Sequence, residues 1–365
     1  SSSGGGGVVT VQGHDVTVSN SAVVADGETG GGQVQMRAMP IIPANPVDPL
    51  IPIPDLPAVL INGNSLVSTS SRRGRGGTVS ITGTTLLLQD STHLYATGAS
   101  GGGEVYVGGG WQGTGDLPQA TTVTMGRDVL IDASASDNGQ GGTVVLWSDV
   151  TSPNSVTTAQ GAIYAKGGVN GGDGGRIETS GHLLITDGIT GSAAAPAGKA
   201  GEWLFDPSNI TIGSSGDASS QNNGSNLSAS SIAGLLNGGT SVTVTTYSGG
   251  GDLGDLTVSS AITKSSGNSD VTLTLRAANS IIISQAIENT GGTGKLNLVI
   301  DADNNTQAST AATSPVRDGG GITILEANLS TGGGSVTFGG TAAGTNGINT
   351  GGDLFVGGSS AVTIN

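Results

Sequence analysis

Acidic and histidine side chains are the residues of this chain that could do chemistry. Paired carboxylates can cleave glycosidic bonds, and histidine can serve as a base or as a metal ligand. Six aspartates each lie beside glycine or asparagine, where local backbone hydrogen bonding explains an aspartate, and the histidines lie far apart in the sequence. We therefore predict turns rather than an enzyme, with neither a nucleophilic triad nor a zinc site. The residues concerned are Asp26, Asp137, Asp173, Asp187, Asp217, Asp252, His14, His93 and His182.

One acidic segment imitates the start of a calcium-binding loop. It reads Asp301-Ala302-Asp303-Asn304-Asn305, but Thr306 stands where such a loop needs glycine and Ala312 where it needs glutamate. The sequence therefore predicts no dedicated cofactor and leaves open only an incidental calcium site.

Trp111 is the best single candidate for ligand contact. It is flanked by Gly108, Gly109, Gly110 and Gly113, and an aromatic ring on a glycine-rich loop can stack on a sugar ring. The alternative is an ordinary loop tip that happens to carry one aromatic residue.

The elements that position these residues are indicated by a repeat. A glycine pair followed by a β-branched or aromatic position returns at spacings of 25, 45, 26, 39, 33 and 26 residues, and self-similarity of this kind indicates a solenoid, a propeller or an array. The second residues of the pairs in the seven units are Gly7, Gly32, Gly77, Gly103, Gly142, Gly175 and, in a close variant with Ala200 in place of the first glycine, Gly201.

The composition favours a thin core of small side chains. Of 365 residues 67 are glycine, whereas aromatic residues make up 3% and charged residues 11%. Glycine runs between strand-like segments fit tight corners, and a stack of Val, Ile, Leu and Ala fits the interior of a solenoid. Hairpin turns and aromatic anchors typical of a sandwich are scarce. We predict an all-β chain folded as a right-handed parallel β-helix (β-solenoid) with irregular loops, and one brief helix from Ala229 to Leu236.

Two regions are expected along the chain. Residues 1–201 carry the glycine-pair repeat, and residues 202–365 continue the β-helix with longer loops rich in serine and asparagine. We expect Trp203, Phe205, Asp206 and Pro207 to anchor the junction.

A proline-rich insertion at residues 39–57 interrupts the first region. Five of its prolines, beginning with Pro40 and ending with Pro52, are three residues apart, which is the polyproline II period. A docking segment is one interpretation. The apolar residues between the prolines favour the other, a stiff excursion that packs along the solenoid.

The charge balance limits the partners. There are 27 acidic and 12 basic residues, a net charge of −15, which argues against nucleic-acid binding. No signal peptide or membrane-spanning segment is visible, so we expect no membrane insertion and interpret the chain as a piece of a larger protein. The absence of cysteine is compatible with secretion.

A stretch near the end of the first region carries a family resemblance. It runs Gly198-Lys199-Ala200-Gly201-Glu202-Trp203-Leu204-Phe205-Asp206-Pro207-Ser208-Asn209-Ile210-Thr211-Ile212, preceded by Gly141-Gly142-Thr143-Val144-Val145-Leu146-Trp147-Ser148 and the glycine-rich 171–181. These three motifs, in this order, resemble the shaft of the large exoproteins of bacterial two-partner secretion, the filamentous haemagglutinin and high-molecular-weight adhesin group. The match covers about residues 126–213, and the amino-terminal secretion domain of that group is not found.

The resemblance implies a secreted β-helical adhesin at the bacterial surface or in the extracellular matrix, exported by an outer-membrane partner. The expected function is a non-catalytic stalk that attaches to cells, to a matrix carbohydrate or to copies of itself. A filament-forming subunit and a polysaccharide-degrading β-helix enzyme remain as alternatives.

Overall fold

Three strands per coil build the molecule. The computed structural model describes residues 4–40, 56–215, 224–249, 251–302, 321–339, 354–357 and 364. Most strands pair in parallel with the strand three places further along the chain, so that the coils stack into sheets. The predicted parallel β-helix is confirmed.

Sheet 1 contains the strands that begin directly after the predicted glycine pairs, and it continues beyond them to β31. Its strands are β1 (Val8–Gly13), β4 (Gln33–Ala38), β7 (Thr78–Thr82), β10 (Glu104–Val107), β13 (Thr143–Trp147), β16 (Arg176–Ser180), β19 (Glu202–Asp206), β22 (Ser241–Val244), β25 (Val271–Arg276), β28 (Leu296–Asp301) and β31 (Val336–Phe338).

Sheet 2 has the second strand of each coil. In stacking order it contains β2 (Val16–Ser19), β5 (Ala58–Asn62), β8 (Thr85–Leu88), β11 (Thr122–Met125), β14 (Val156–Ala159), β17 (Leu183–Ile185), β21 (Ser225–Ser228), β20 (Ile210–Gly213), β23 (Leu256–Val258), β26 (Ile281–Ile283), β29 (Ile322–Leu325) and β32 (Leu354–Gly357). The order of β20 and β21 is reversed relative to the sequence: β21 pairs with β17 on one side and with β20 on the other, and β20 pairs with β23.

The third side of the solenoid is built from two shorter sheets. Sheet 3 contains β3 (Ala22–Val24), β6 (Leu66–Ser68), β9 (His93–Tyr95), β12 (Leu130–Asp132), β15 (Ala162–Tyr164) and β18 (Thr190–Ser192), and sheet 4 contains β24 (Ile262–Lys264), β27 (Ile287–Asn289) and β30 (Leu329–Ser330).

A helix separates sheet 3 from sheet 4. Helix α1 (Ala229–Asn237) contacts both β18 and β24, and it buries Ile232, Leu235 and Leu236. The Ser228 side chain caps it by accepting a hydrogen bond from the Ser230 amide. The predicted helix is therefore confirmed.

The core is a set of in-register columns. Val9, Val34, Val79, Val105, Val144, Ile177, Trp203 and Val242 occupy equivalent positions in successive strands of sheet 1. Most of this column is fully buried, while the residues on either side of it point outward. All seven predicted repeat units thus begin at the same corner.

Glycine is required at this corner because the coils meet there without room for a side chain. A Cβ atom on Gly77 would lie 1.9 Å from the carbonyl oxygen of Gly32, and one on Gly103 would lie 2.1 Å from that of Gly77. The amide of Thr78 donates to the same Gly32 oxygen at 2.9 Å. The second glycine therefore lets the inter-coil hydrogen bond form.

The division into residues 1–201 and 202–365 stays a prediction, and sheet 1 continues through it. Residues 41–55 of the proline-rich insertion lie outside the described residues, so both interpretations of that segment remain open.

We predict that Gly77→Ala lowers the free energy of unfolding by about 2–3 kcal/mol, because the methyl group must push two backbones apart. Urea unfolding followed by circular dichroism measures the change.

Gly30→Ala is the matched control, since a Cβ atom on Gly30 meets nothing within 4 Å. It should change the free energy of unfolding by less than about 0.5 kcal/mol. Equal effects of the two substitutions would contradict the corner argument.

Candidate functional site

An open groove crosses the outer face of sheet 1. Its volume is about 600 Å³, and it runs past the starts of successive strands from β10 to β25. Six charged side chains of both signs line it: Arg75, Glu104, Asp173, Arg176, Lys199 and Glu202. We call this feature the sheet-1 groove.

The strand register explains why these groups share one surface. Glu104, Thr143, Arg176, Glu202 and Ser241 are equivalent positions in five successive strands. Each lies one residue before the buried column, so strand alternation turns each side chain outward. Arg75, Asp173 and Lys199 come from the glycine corners beside these strands.

Hydroxyl groups complete the groove at its other end. Thr243, Thr272 and Thr274 line it together with Thr143 and Ser241. The surface therefore offers charged donors, carboxylate acceptors and hydroxyls about 4.8 Å apart from coil to coil. Such a surface is suited to an extended polar ligand.

Three of the charged side chains are held in place by local contacts. Arg176 Nε donates to Thr143 Oγ1 at 3.1 Å, and an Asp173 carboxylate oxygen accepts from the Lys199 amide at 2.8 Å. The Glu202 carboxylate accepts from the Thr243 hydroxyl. The side chains are thus positioned before any ligand arrives.

Trp111 stands beside the groove rather than at a free loop tip. It is partly buried in a 3₁₀ turn (Trp111–Gly113), and the Arg176 guanidinium lies 4.5 Å from its ring centre in a cation–π contact. The ring also packs against an outer cluster formed by Val145, Trp147 and Val150. Its role in ligand binding stays a prediction, and its link to the groove is made by Arg176.

The glycines near Trp111 allow its loop to lie on the sheet. A Cβ atom on Gly109 or Gly113 would approach the Trp147 ring to 2.4 or 2.5 Å. Trp147 Nε1 in turn donates to Gln119 Oε1 at 2.9 Å. The loop of residues 108–120 is therefore fastened over the outer face of sheet 1, and we call it the cover loop.

A buried glutamate lies under the cover loop. Glu178 is fully buried, and its two carboxylate oxygens accept hydrogen bonds from the Gln112 amide at 2.8 Å and the Ser180 hydroxyl at 2.9 Å. Burial raises the pKa of Glu178 to about 8, and the neighbouring Asp206 carboxylate adds to this. Burial also raises the pKa of Asp206 to about 7.

Sequence reasoning did not identify Glu178. In the run Arg176-Ile177-Glu178 the period-two alternation places Glu178 outward, where a carboxylate would be expected to meet water. The Glu178 carboxylate is shielded from water because the cover loop, which belongs to a different coil, lies over it. The sequence carries no local signal for that contact.

The predicted junction residues lie where sheet 3 gives way to α1. Trp203 and Phe205 are fully buried and stack with ring centres 5.5 Å apart, and Trp203 Nε1 donates to Thr179 Oγ1 at 3.2 Å. Pro207 is buried and Asp206 partly so. Their role as an anchor between two regions stays a prediction.

The described residues contain no group of three or more His, Cys, Asp or Glu side chains that could hold a metal ion. Of the calcium-like segment only Asp301 and Ala302 are described, because Asp303 to Asn305 lie outside the described residues. The incidental calcium site thus stays a prediction. In the described part of the chain no helix has the length and apolar character needed to cross a membrane.

Comparison of the sequence with protein-family models finds no match, and no curated protein matches it either.

We predict that the pH dependence of stability reports on Glu178. Its folded pKa of about 8 exceeds the ordinary value of 4.5, so the folded state binds more protons in that interval. Glu178 therefore contributes most to the free energy of unfolding at low pH, and this contribution falls as the pH rises from about 4.5 to about 8. Between about pH 5.5 and about pH 8.5 the wild type should lose at least about 1 kcal/mol more unfolding free energy than Glu178→Gln.

Urea unfolding at both pH values measures this difference. Asp206 is present in both proteins, so the difference between the two profiles reports on Glu178 together with its interaction with Asp206. Parallel pH profiles would contradict a buried, protonated Glu178.

Proposed function

We propose that the chain is a β-helical stalk segment of a secreted adhesin and that the sheet-1 groove contacts a glycan. The observation that carries the proposal is the groove itself, an open surface on a rigid sheet with fixed charges and hydroxyls. Sugar polymers offer many hydroxyls, and some also carry carboxylates or sulfates that suit Arg176 and Lys199.

The resemblance to two-partner-secretion exoproteins supports the wider setting. It suggests an outer-membrane secretion partner and a location at the bacterial surface or in the extracellular matrix. The parallel β-helix is compatible with this setting, although the same fold serves many functions.

The groove carboxylates favour binding over catalysis. Glu104 and Glu202 start strands three inter-strand steps apart, about 14 Å along the stack. The acid pairs of glycosidases are about 5 to 10 Å apart. The Asp173 and Glu202 carboxylates are also engaged by neighbouring donors.

We predict that removing one groove cation weakens glycan binding about tenfold, the loss expected for one charged hydrogen bond. A panel of neutral, uronate-containing and sulfated polysaccharides would be tested against wild type, Arg176→Ala and Lys199→Ala by biolayer interferometry.

Lys166→Ala is the matched control, because Lys166 lies over the Tyr164 ring at sheet 3, outside the groove. It should bind as wild type does. If no polysaccharide binds, or if all three variants bind equally well, the groove is not the contact surface.

A further inference from the structure

Three side chains from different coils meet in a hydrogen-bonded chain near the end of β19. The Ser208 hydroxyl lies 2.6 Å from His182 Nδ1, and His182 Nε2 lies 3.1 Å from an Asp252 carboxylate oxygen. This is the order of groups that activates a serine hydroxyl as a nucleophile. Ser208 comes 26 residues after His182, and Asp252 comes 44 residues after Ser208.

The histidine can hold a proton taken from the serine. With a proton on Nε2 facing Asp252, Nδ1 is free to accept the hydroxyl proton. Once protonated, Nδ1 has the Val150 carbonyl oxygen within 3.3 Å as an alternative acceptor. Both ring nitrogens of the imidazolium would therefore have an acceptor.

Burial restricts what the serine can attack. Ser208 is fully buried, and the His182 side chain is only 10% exposed. A soluble ester or peptide has no route to the hydroxyl. The carbonyl that is always next to it is that of Pro207, the residue before it in the chain.

The Pro207 carbonyl is also polarised. Its oxygen accepts a hydrogen bond from the Tyr247 amide at 3.0 Å, which is a contact that would stabilise negative charge on that oxygen. The Ser208 amide donates a hydrogen bond to the His182 carbonyl oxygen at 3.2 Å, which holds the nitrogen side of the same peptide bond in place. A nucleophile, a base, an orienting carboxylate and an oxyanion donor thus surround one peptide bond.

We propose that Ser208, with His182 as base, cleaves the Pro207–Ser208 peptide bond of its own chain by an N-to-O acyl shift followed by hydrolysis. The reaction is a single self-processing event, separate from glycan binding in the sheet-1 groove. Asp252 is a positioning residue that fixes the imidazole.

The reaction balances with water as the only co-reactant. Ser208 Oγ bonds to the Pro207 carbonyl carbon while its proton moves to His182 Nδ1. The Pro207–Ser208 C–N bond breaks, and His182 passes the proton to the departing nitrogen. Water then hydrolyses the ester, which leaves a carboxylate on Pro207 and a free amine and hydroxyl on Ser208.

The cut chain would stay together under native conditions. Strand β19 precedes the cut and β22 follows it, yet they pair over four residues in sheet 1. Denaturing mass spectrometry is therefore the required measurement. The full chain should separate into residues 1–207 and 208–365 during incubation at neutral pH, while native size-exclusion chromatography shows no change.

Variants test each role. Ser208→Ala and His182→Ala should remain whole, and Asp252→Asn should be cut at least about tenfold more slowly because the imidazole loses its orientation. Ser155→Ala is the matched control: Ser155 is also fully buried and contacts the His182 amide rather than its ring. It should be cut as wild type is.

A chemical trap distinguishes the ester from other breaks. Hydroxylamine should place a hydroxamate on Pro207 and speed the cut. It also cleaves Asn–Gly bonds such as Asn62–Gly63 and Asn138–Gly139, but those fragments have different masses. A break at the acid-sensitive Asp206–Pro207 bond would give a fragment beginning at Pro207 instead of Ser208.

Ser208→Cys covers the case in which Ser208→Ala fails to fold. A thiol at this position should still cut the chain at the same bond, because a thiol can take the place of the hydroxyl as the nucleophile. A folded wild type that stays whole and forms no Pro207 hydroxamate overturns the proposal, as does a cut that persists in folded Ser208→Ala.

Discussion

The close approach of backbones at the glycine corner is the constraint on which the rest of the structure depends. At Gly32, Gly77 and Gly103 a side chain would overlap the carbonyl of the coil before, so only glycine lets the next strand pair there. Because that corner fixes where each strand of sheet 1 begins, it also fixes which residues point inward and which point outward. The buried column and the sheet-1 groove are two results of the same register.

The outer face of sheet 1 serves two purposes along its length. Near Arg176 it is open and lined with charged groups, and two residues further along β16, at Glu178, it is sealed by the cover loop. Arg176 touches both parts, since it lines the groove and lies over Trp111. A change in the cover loop would therefore affect the groove through the position of the Arg176 side chain.

The features that depend on local pattern could be predicted from the sequence. The glycine pairs gave the starts of seven strands in sheet 1, and the segment beginning at Ala229 gave the helix. Features that depend on coil length could not be predicted. Inserted loops vary that length, so the sequence does not show that His182, Ser208 and Asp252 meet. For the same reason it does not show that the cover loop lies over Glu178, which looks like a surface residue in the sequence. The reversed order of β20 and β21 likewise leaves no periodic trace, because both segments read as ordinary strands.

The replacement of a sheet by α1 has a mechanical meaning. In a β-helix the inter-strand hydrogen bonds run along the axis, so a pull on the two ends loads them directly. At the level of α1 sheet 3 has ended and sheet 4 has not begun, and in sheet 2 β17 pairs with β21 through the single match of Ile185 with Asn226. Tension there is borne chiefly by sheet 1 and by the side-chain packing of the helix. Among the coils that the structure describes, this is the one at which we expect a stretched stack to part first.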